Sequence, residues 1–209
     1  MNWHTKIGRV ATIAVMAGAS QVAAQAPMAK SASIGIMGGV TFPRGSDFTV
    51  VSKTGWNAGA LIRLGVPSFP LSFRIDGQWH QLAGKSRVIP DVGGDQTDLR
   101  IIDGTADFEW AVGGAAASNF YLIGGGGVYG LRGKTLVTPG NAPGGTESTV
   151  TESATKFGWN AGAGFRFRMA TYGLFIEARY HSVSGGHAVD GTSSTKALHF
   201  IPLDIGITL

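Results

Sequence analysis

Apolar and polar residues alternate along most of the chain after its N-terminal segment, and a period of two residues predicts β-strands with one buried face. The alternation occurs in eight runs, at about 33–42, 55–66, 71–82, 99–112, 119–132, 156–169, 174–184 and 197–209. Most runs are long enough for a tilted transmembrane strand, which needs about 9–11 residues. No apolar stripe of helical spacing accompanies them. The pattern predicts an all-β protein.

The segments between the runs alternate in length. Those at 67–70, 113–118 and 170–173 are short. The other connections are long and polar, rich in Gly, Ser and Thr; they lie at 43–54, 83–98, 133–155 and 185–196. Short turns at one end and long loops at the other are typical of an antiparallel up-and-down transmembrane β-barrel. We therefore predict an eight-stranded barrel with both termini on the short-turn side, periplasmic in a bacterial outer membrane, and we expect the longest loop to be mobile and to form the main contact surface.

Residues 1–24 have the composition of a signal peptide. Lys6 and Arg9 precede a ten-residue apolar run that ends in small residues. Ten helical residues rise about 15 Å, half of a bilayer core, so the run is too short for a membrane anchor. We predict cleavage after Ala24, with Ala26 as the alternative.

Residues 25–209 are predicted to form the barrel domain. Without Lys6 and Arg9, 15 basic residues remain against 13 acidic ones, a formal charge of +2 that gives no support to nucleic-acid binding. Charged residues make up only 14% of the chain, against about 25% in soluble domains. With no cysteine, the chain offers no disulfide, thiolate metal site or thiol nucleophile.

Two hexapeptides recur in the second half of the sequence. The motif at 55–60, Gly-Trp-Asn-Ala-Gly-Ala, is repeated at 158–163, and Ile-Asp-Gly-Gln-Trp-His at 75–80 is matched by Ile-Glu-Ala-Arg-Tyr-His at 176–181. The second and third strands therefore correspond to the sixth and seventh. We interpret the repeat as two four-stranded halves of one sheet, since separate halves would each leave a long apolar strand edge unpaired and prone to aggregation.

The distribution of charge predicts which face is inside. The lysines of residues 25–209 lie in the N-terminal segment, in long loops or at strand ends, whereas strand interiors carry arginine and carboxylates. We predict that these charges form a structural ion-pair network in a closed lumen, with glycines such as Gly59, Gly65, Gly162 and Gly164 making room for guanidinium groups. The predicted lumen residues are Arg63, Arg74, Asp76, Asp103, Asp107, Glu109, Arg166, Arg168, Glu177, Arg179, His181 and Asp204.

The opposite face carries uninterrupted apolar rows that predict contact with lipid. Aromatic residues gather toward both ends of the strands, as at two membrane interfaces. On the long-loop side they are Phe42, Trp56, Trp79, Tyr129, Trp159 and Tyr180, and on the short-turn side Phe73, Trp110, Tyr121, Phe165, Phe167 and Phe175. We assign the lipid-interface role chiefly to Trp56, Trp79, Trp110, Tyr129, Trp159 and Tyr180.

With its signal peptide, eight strands, repeated Gly-Trp-Asn-Ala-Gly-Ala and closing His-Phe-Ile-Pro-Leu-Asp-Ile-Gly-Ile-Thr-Leu, the chain resembles the small outer-membrane β-barrels, the group of the outer-membrane protein A transmembrane domain and the opacity surface proteins. The resemblance covers essentially all of residues 25–209. It implies a Gram-negative outer-membrane location and insertion by the barrel assembly machinery.

Three patterns of catalytic or binding chemistry are weak. The glycines of 125–130 fit G-x-G-x-x-G, but no helix is predicted after them, so we expect no dinucleotide or other cofactor. His181 lies near Ser182 and Ser184 as in lipid A deacylases, but neither serine shares its face. His187 and Asp190 lie in a loop with no third partner, so no metal site is predicted.

We therefore predict a non-catalytic barrel with a plugged, charge-balanced lumen and a structural or surface-interaction role: envelope integrity, adhesion or host contact through the long loops. The expected partners are outer-membrane lipid or lipopolysaccharide, the barrel assembly machinery, and a host or surface ligand at the loops. Three alternatives remain open: a lipid A deacylase-like enzyme, a small channel, and a soluble periplasmic ligand-binding barrel with an apolar interior.

Overall fold

The computed structural model describes residues 32–45, 49, 52–65, 69–84, 86–89, 93–112, 118–139, 148–169, 171–185 and 197–209. The predicted signal peptide, His187 and Asp190 lie outside these ranges. The described residues form nine strands: β1 (Ala32–Arg44), β2 (Gly55–Gly65), β3 (Leu71–Leu82), β4 (Ser86–Ile89), β5 (Gly93–Val112), β6 (Ser118–Pro139), β7 (Ser148–Arg168), β8 (Gly173–Val183) and β9 (Leu198–Thr208). None of the described segments is a helix long and apolar enough to cross a membrane.

Eight of these strands close into an antiparallel barrel. Consecutive barrel strands pair with each other, β3 pairs directly with β5, and β9 returns to pair with β1. The short strand β4 pairs with β5 only. The predicted all-β, eight-stranded, up-and-down barrel is therefore confirmed.

Three neighbouring strands are about twice as long as the rest. β5, β6 and β7 have 20, 22 and 21 residues, whereas the other barrel strands have 11 to 13. At about 3.3 Å per residue, β6 is about 70 Å long and β2 about 35 Å. One side of the barrel therefore continues beyond the long-loop end as a sheet, here called the tall sheet: β4 with residues 93–98 of β5, 133–139 of β6 and 148–155 of β7.

The tall sheet corrects the prediction of loops at 83–98 and 133–155. The β5–β6 ladder continues to Gly93 opposite Pro139, and the β6–β7 ladder continues to Val137 opposite Ser148. These residues are mostly polar on both strand faces. Apolar and polar residues do not alternate in these segments, so the pattern that identifies the barrel strands is missing.

The barrel is apolar outside and polar inside. Large apolar side chains such as Ile36, Trp56 and Ile205 are 64%, 54% and 64% exposed, while arginines and carboxylates are buried in the lumen. Between the two aromatic levels the outward positions carry no charge. Lipid is the solvent that suits such a surface, because charges there cost about 2–4 kcal/mol each. A soluble ligand-binding barrel would show the reverse arrangement.

Candidate functional site

The centre of the lumen holds a closed ring of four alternating charges. Arg74 on β3 contacts Asp76 at 2.7 Å and Glu177 at 2.7 Å. Arg179 on β8 contacts Asp76 at 2.8 Å and Glu177 at 2.9 Å, although the latter approach lacks hydrogen-bond geometry. All four side chains are almost fully buried. Each charge therefore has two opposite neighbours, the condition under which buried ions offset their desolvation.

This ring crosses the full width of the barrel. In the closed order of eight barrel strands, β3 and β8 are four places apart and so face each other across the lumen. The Arg74–Glu177 and Arg179–Asp76 contacts therefore span the diameter. At this level the lumen is occupied by paired side chains from opposite walls.

The sequence repeat explains half of the ring. Asp76 and Glu177 occupy equivalent positions of the two matched hexapeptides, so the repeat places two carboxylates on opposite walls. The arginines are not equivalent: Arg74 corresponds to Phe175, whose ring lies 5.3 Å from the Arg74 guanidinium. The two halves thus share a strand arrangement, but each contributes its arginine from a different position of the repeat.

Glu109 organises the short-turn end of the lumen. It contacts Arg63 at 2.9 Å and Arg166 at 2.8 Å, so two arginines converge on one carboxylate. The Arg166 guanidinium also lies 4.8 Å from the Tyr121 ring. Arg168, by contrast, is exposed at the end of β7, and no ion pair to it is found among the described side chains. The prediction that Arg168 belongs to the lumen network is corrected, because the strand ends beyond the buried layer.

Two histidines lie above the ring, toward the long-loop end. His80 contacts Asp103 at 2.8 Å and Thr41 at 2.8 Å. His181 is hydrogen-bonded to the Tyr129 hydroxyl at 2.9 Å, and its ring centroid lies 6.4 Å from that of His80. These histidines are equivalent in the repeat, so the two walls meet again at this level.

A buried apolar layer that sequence patterning missed lies at the long-loop end of the lumen. It consists of Leu82, Leu99, Ile101, Tyr129, Val183 and Phe200. The Phe200 ring stacks on His181 with centroids 4.8 Å apart. We call these six residues the apolar cap. Their places in the strand alternation indicate that these side chains point inward. The barrel pattern, however, predicts polar side chains at inward positions, and five of the six are aliphatic or phenylalanine.

The lumen charges are less balanced than the sequence predicts. With Arg168 outside, four lumen arginines face six carboxylates. Asp107 contacts Arg179 at 3.1 Å and also accepts hydrogen bonds from Thr105 and Asn160. Asp204 accepts a hydrogen bond from Gln78 at 3.2 Å, and within the described part of the chain no cation lies within ion-pair distance of it.

Three aromatic residues predicted at the membrane interfaces face the lumen instead. Tyr129 and Tyr121 are fully buried, and Phe175 is nearly so. The Tyr121 hydroxyl donates to Glu177 at 2.7 Å. The prediction for Tyr129 failed because β6 contains Gly124–Gly127, which carries no side chains from which to phase the alternation. The tyrosine hydroxyl groups were the signal that could have placed Tyr121 and Tyr129 in the polar lumen, because a buried hydroxyl group needs a hydrogen-bond partner.

Of the six residues assigned chiefly to the lipid interface, the five other than Tyr129 face outward. Trp56, Trp110 and Trp159 are about half exposed. Trp159 packs on Tyr180 at 5.7 Å, and Trp79 lies beneath the Arg100 guanidinium at 4.4 Å. With Phe73 and Phe108 in edge contact at 5.7 Å on the short-turn side, aromatic side chains occupy both ends of the apolar exterior, as at two water interfaces.

Glycines create the space for the ring. A Cβ at Gly162 would lie 2.2 Å from the Ala178 carbonyl oxygen and 2.6 Å from Cγ of Arg179, and one at Gly164 would lie 2.4 Å from the Tyr121 hydroxyl. Gly65 is less crowded, with the Arg63 guanidinium 3.5 Å away. Within the described residues, no three metal-ligating side chains cluster.

Solved structures share this fold, whereas sequence comparisons find no match. No family model and no curated protein sequence matches the chain. The structure is similar to Neisserial surface protein A, with a TM-score of 0.52, 13% identity, and coverage of 86% of this chain and 96% of that one. It is also similar to a major outer membrane protein from Thermus thermophilus, with a TM-score of 0.55, 13% identity, and coverage of 85% and 98%. The chain has the fold of the small eight-stranded outer-membrane β-barrels.

Proposed function

We propose that the protein is a plugged outer-membrane barrel that acts through its surface rather than through its lumen. The observation that carries this proposal is the ring of Arg74, Asp76, Glu177 and Arg179, whose contacts cross the lumen from wall to wall. The apolar cap above it adds a second obstruction. Ions entering the lumen would have to displace paired charges, a costly step at low dielectric.

Planar-bilayer recording tests the plug. Purified, heat-modifiable protein should give no steady current steps of porin size. A variant that opens both obstructions, with Arg74→Ala and Arg179→Ala in the ring and Phe200→Ala in the apolar cap, should conduct if it remains heat-modifiable. The excess of lumen carboxylates predicts cation selectivity. Steady porin-sized steps from the unmodified protein would refute the plug.

We propose that the tall sheet and the connections at its end supply the contact surface for adhesion, host contact or envelope integrity. The ladders of this sheet continue beyond the apolar exterior through segments of mostly polar sequence. Replacing residues 132–153 by Asn-Gly should join β6 to β7 through a short hairpin at Leu131 and Ala154. The barrel should stay heat-modifiable while cell adhesion falls; unchanged surface phenotypes would contradict the proposal.

We propose an outer-membrane location, reached through the signal peptide and the barrel assembly machinery, with the termini in the periplasm. The absence of cysteine from the sequence provides a clean test. In intact cells, a membrane-impermeant maleimide should label Lys53→Cys at the long-loop end and leave Thr171→Cys at the short-turn end unlabelled. The opposite labelling would invert the orientation.

We propose that the barrel is not a lipid A deacylase. His181 faces the lumen and bonds to Tyr129, away from the lipid where an acyl ester would lie. Purified protein should leave lipid A acyl chains intact, as measured by mass spectrometry; shortened chains would establish the enzyme instead.

A further inference from the structure

Two arginines lie directly opposite each other on the outer face of the barrel. Arg100 on β5 is the register partner of Arg132 on β6, and both point outward. Lys134 follows on the same face of β6 and is exposed, as is Arg132. We call Arg100, Arg132 and Lys134 the basic rim cluster.

Among the described side chains, these three cations have few acidic neighbours. Like charges directly opposite in an antiparallel pair are destabilising. Asp98 is the register partner of Lys134, but its Oδ1 accepts a hydrogen bond from the Gly84 backbone at 3.0 Å. Among the side chains that the structure describes, no carboxylate lies within ion-pair distance of the three cations. An external anion bound between the two arginines would offset their repulsion.

Arg100 is held in position for such an anion. Its Nε donates to Gln81 Oε1 at 3.2 Å, and its guanidinium lies 4.4 Å from the Trp79 ring. Trp79 belongs to the outward-facing aromatic level at the long-loop end. Aromatic side chains at this depth mark the headgroup region of a bilayer, where lipid phosphates lie. The stacked arginine is pre-organised, so it loses little conformational freedom on binding.

We propose that the basic rim cluster binds the phosphate group of a phosphorylated membrane lipid. This inference rests on the proposed insertion in a membrane, and it specifies a lipid site on the outer wall between β5 and β6. Arginine forks fit phosphate oxygens through paired hydrogen bonds, and Lys134 adds a third positive charge. A bound phosphate would convert the repulsion between Arg100 and Arg132 into a shared contact.

A matched control lies on another part of the rim. Arg44, at the end of β1, is exposed and faces outward, but its register partner is His199. The His199 ring stacks on Tyr180 with centroids 5.4 Å apart. Arg44 thus lies at the long-loop end of a barrel strand without an opposing arginine.

The test measures lipid binding by the full chain folded in zwitterionic micelles. The probes are bisphosphorylated lipid A, the same lipid A without phosphates, and inorganic phosphate, with affinity taken from the shift in the unfolding midpoint. Arg132→Gln should weaken binding of bisphosphorylated lipid A roughly fivefold, as expected for one basic residue at an anionic surface. Arg44 lies on β1, three places from β5 in the barrel order, and screening weakens the effect of a charge far from the bound phosphate. Arg44→Gln should therefore change the affinity by less than about twofold, and dephosphorylated lipid A should not distinguish the variants.

A charge-reversal variant distinguishes a phosphate-binding site from a cluster that affects only the stability of the barrel. Arg132→Glu would face Arg100 with an opposite charge, so it should raise the unfolding midpoint in lipid-free micelles and abolish the phosphate-dependent shift. Equal affinity of Arg132→Gln and unmodified protein would overturn the proposal. An equal stabilisation by inorganic phosphate would also overturn it, because the source would then be a free anion. Neither result bears on the plug or the orientation, which have separate tests.

Discussion

The short-turn half and the long-loop half of the lumen are lined by different kinds of side chain. The ionic layer consists of the central ring with Asp107, Glu109, Arg63 and Arg166. Its charges are mutually paired, and all but the half-buried Arg63 are buried. The apolar cap above it has Tyr129 as its polar member. An ionic layer depends on completeness, because removing one partner leaves another charge buried and unpaired. An apolar layer loses contacts in proportion to the volume removed.

The largest expected effect is the loss of Arg179. Arg179→Met keeps much of the side-chain volume but leaves Asp76, Glu177 and Asp107 without one of their cations. Breaking a buried pair in this way typically costs about 3–5 kcal/mol. Urea unfolding in lipid vesicles, followed by tryptophan fluorescence, measures the change in unfolding free energy.

Arg168→Met is the matched control. It removes an arginine from the same face of the barrel, but from an exposed position at the end of β7. The expected change is within about 0.5 kcal/mol, as for exposed sites without special contacts. Similar losses at Arg168 and Arg179 would show that buried pairing does not distinguish the ionic layer.

The cap should respond to lost volume. Phe200→Ala removes a fully buried ring that packs on His80, Tyr129 and His181, and the expected cost is about 3 kcal/mol. Phe200→Leu keeps much of that volume and should cost about 1 kcal/mol. Equal costs for the two variants in the same urea titration would contradict a volume-dependent cap.

Space for the ionic layer is tested at Gly162. Gly162→Ala places a Cβ 2.2 Å from the Ala178 carbonyl oxygen, which is backbone and cannot easily move. The expected cost of this overpacking is about 2 kcal/mol. At Gly130 the nearest atom to an added Cβ is the Ile102 carbonyl oxygen at 3.6 Å, so Gly130→Ala should be tolerated. The difference between the two unfolding midpoints is the measurement.

The sequence predicted those parts of the molecule in which apolar and polar residues alternate, and it did not predict the parts that lack this alternation. Strand number, closure and the apolar exterior follow from period-two runs, and the parity of Asp76 and Glu177 follows with them. The tall sheet was missed because its sequence is mostly polar and does not alternate. The cap was missed because apolar residues occupy inward positions near the strand ends. The partner choices inside the lumen depend on register and diameter, which no single run of sequence specifies.

The boundary between the two layers is tested at Thr41, where the effect should be smallest. Its hydroxyl bonds to His80 at 2.8 Å and accepts from Asn57 at 3.0 Å. Thr41→Val keeps the shape of the side chain but leaves two buried polar partners short of a bond, so we expect a loss of about 1–2 kcal/mol. Thr155→Val, at an exposed position on β7, should cost less than about 0.5 kcal/mol. If the two variants unfold at the same urea concentration, the layer around His80 and His181 tolerates the loss of a hydrogen-bond partner, as the apolar cap does. A larger loss of stability at Thr41 would show that this layer depends on complete pairing, as the ionic layer does.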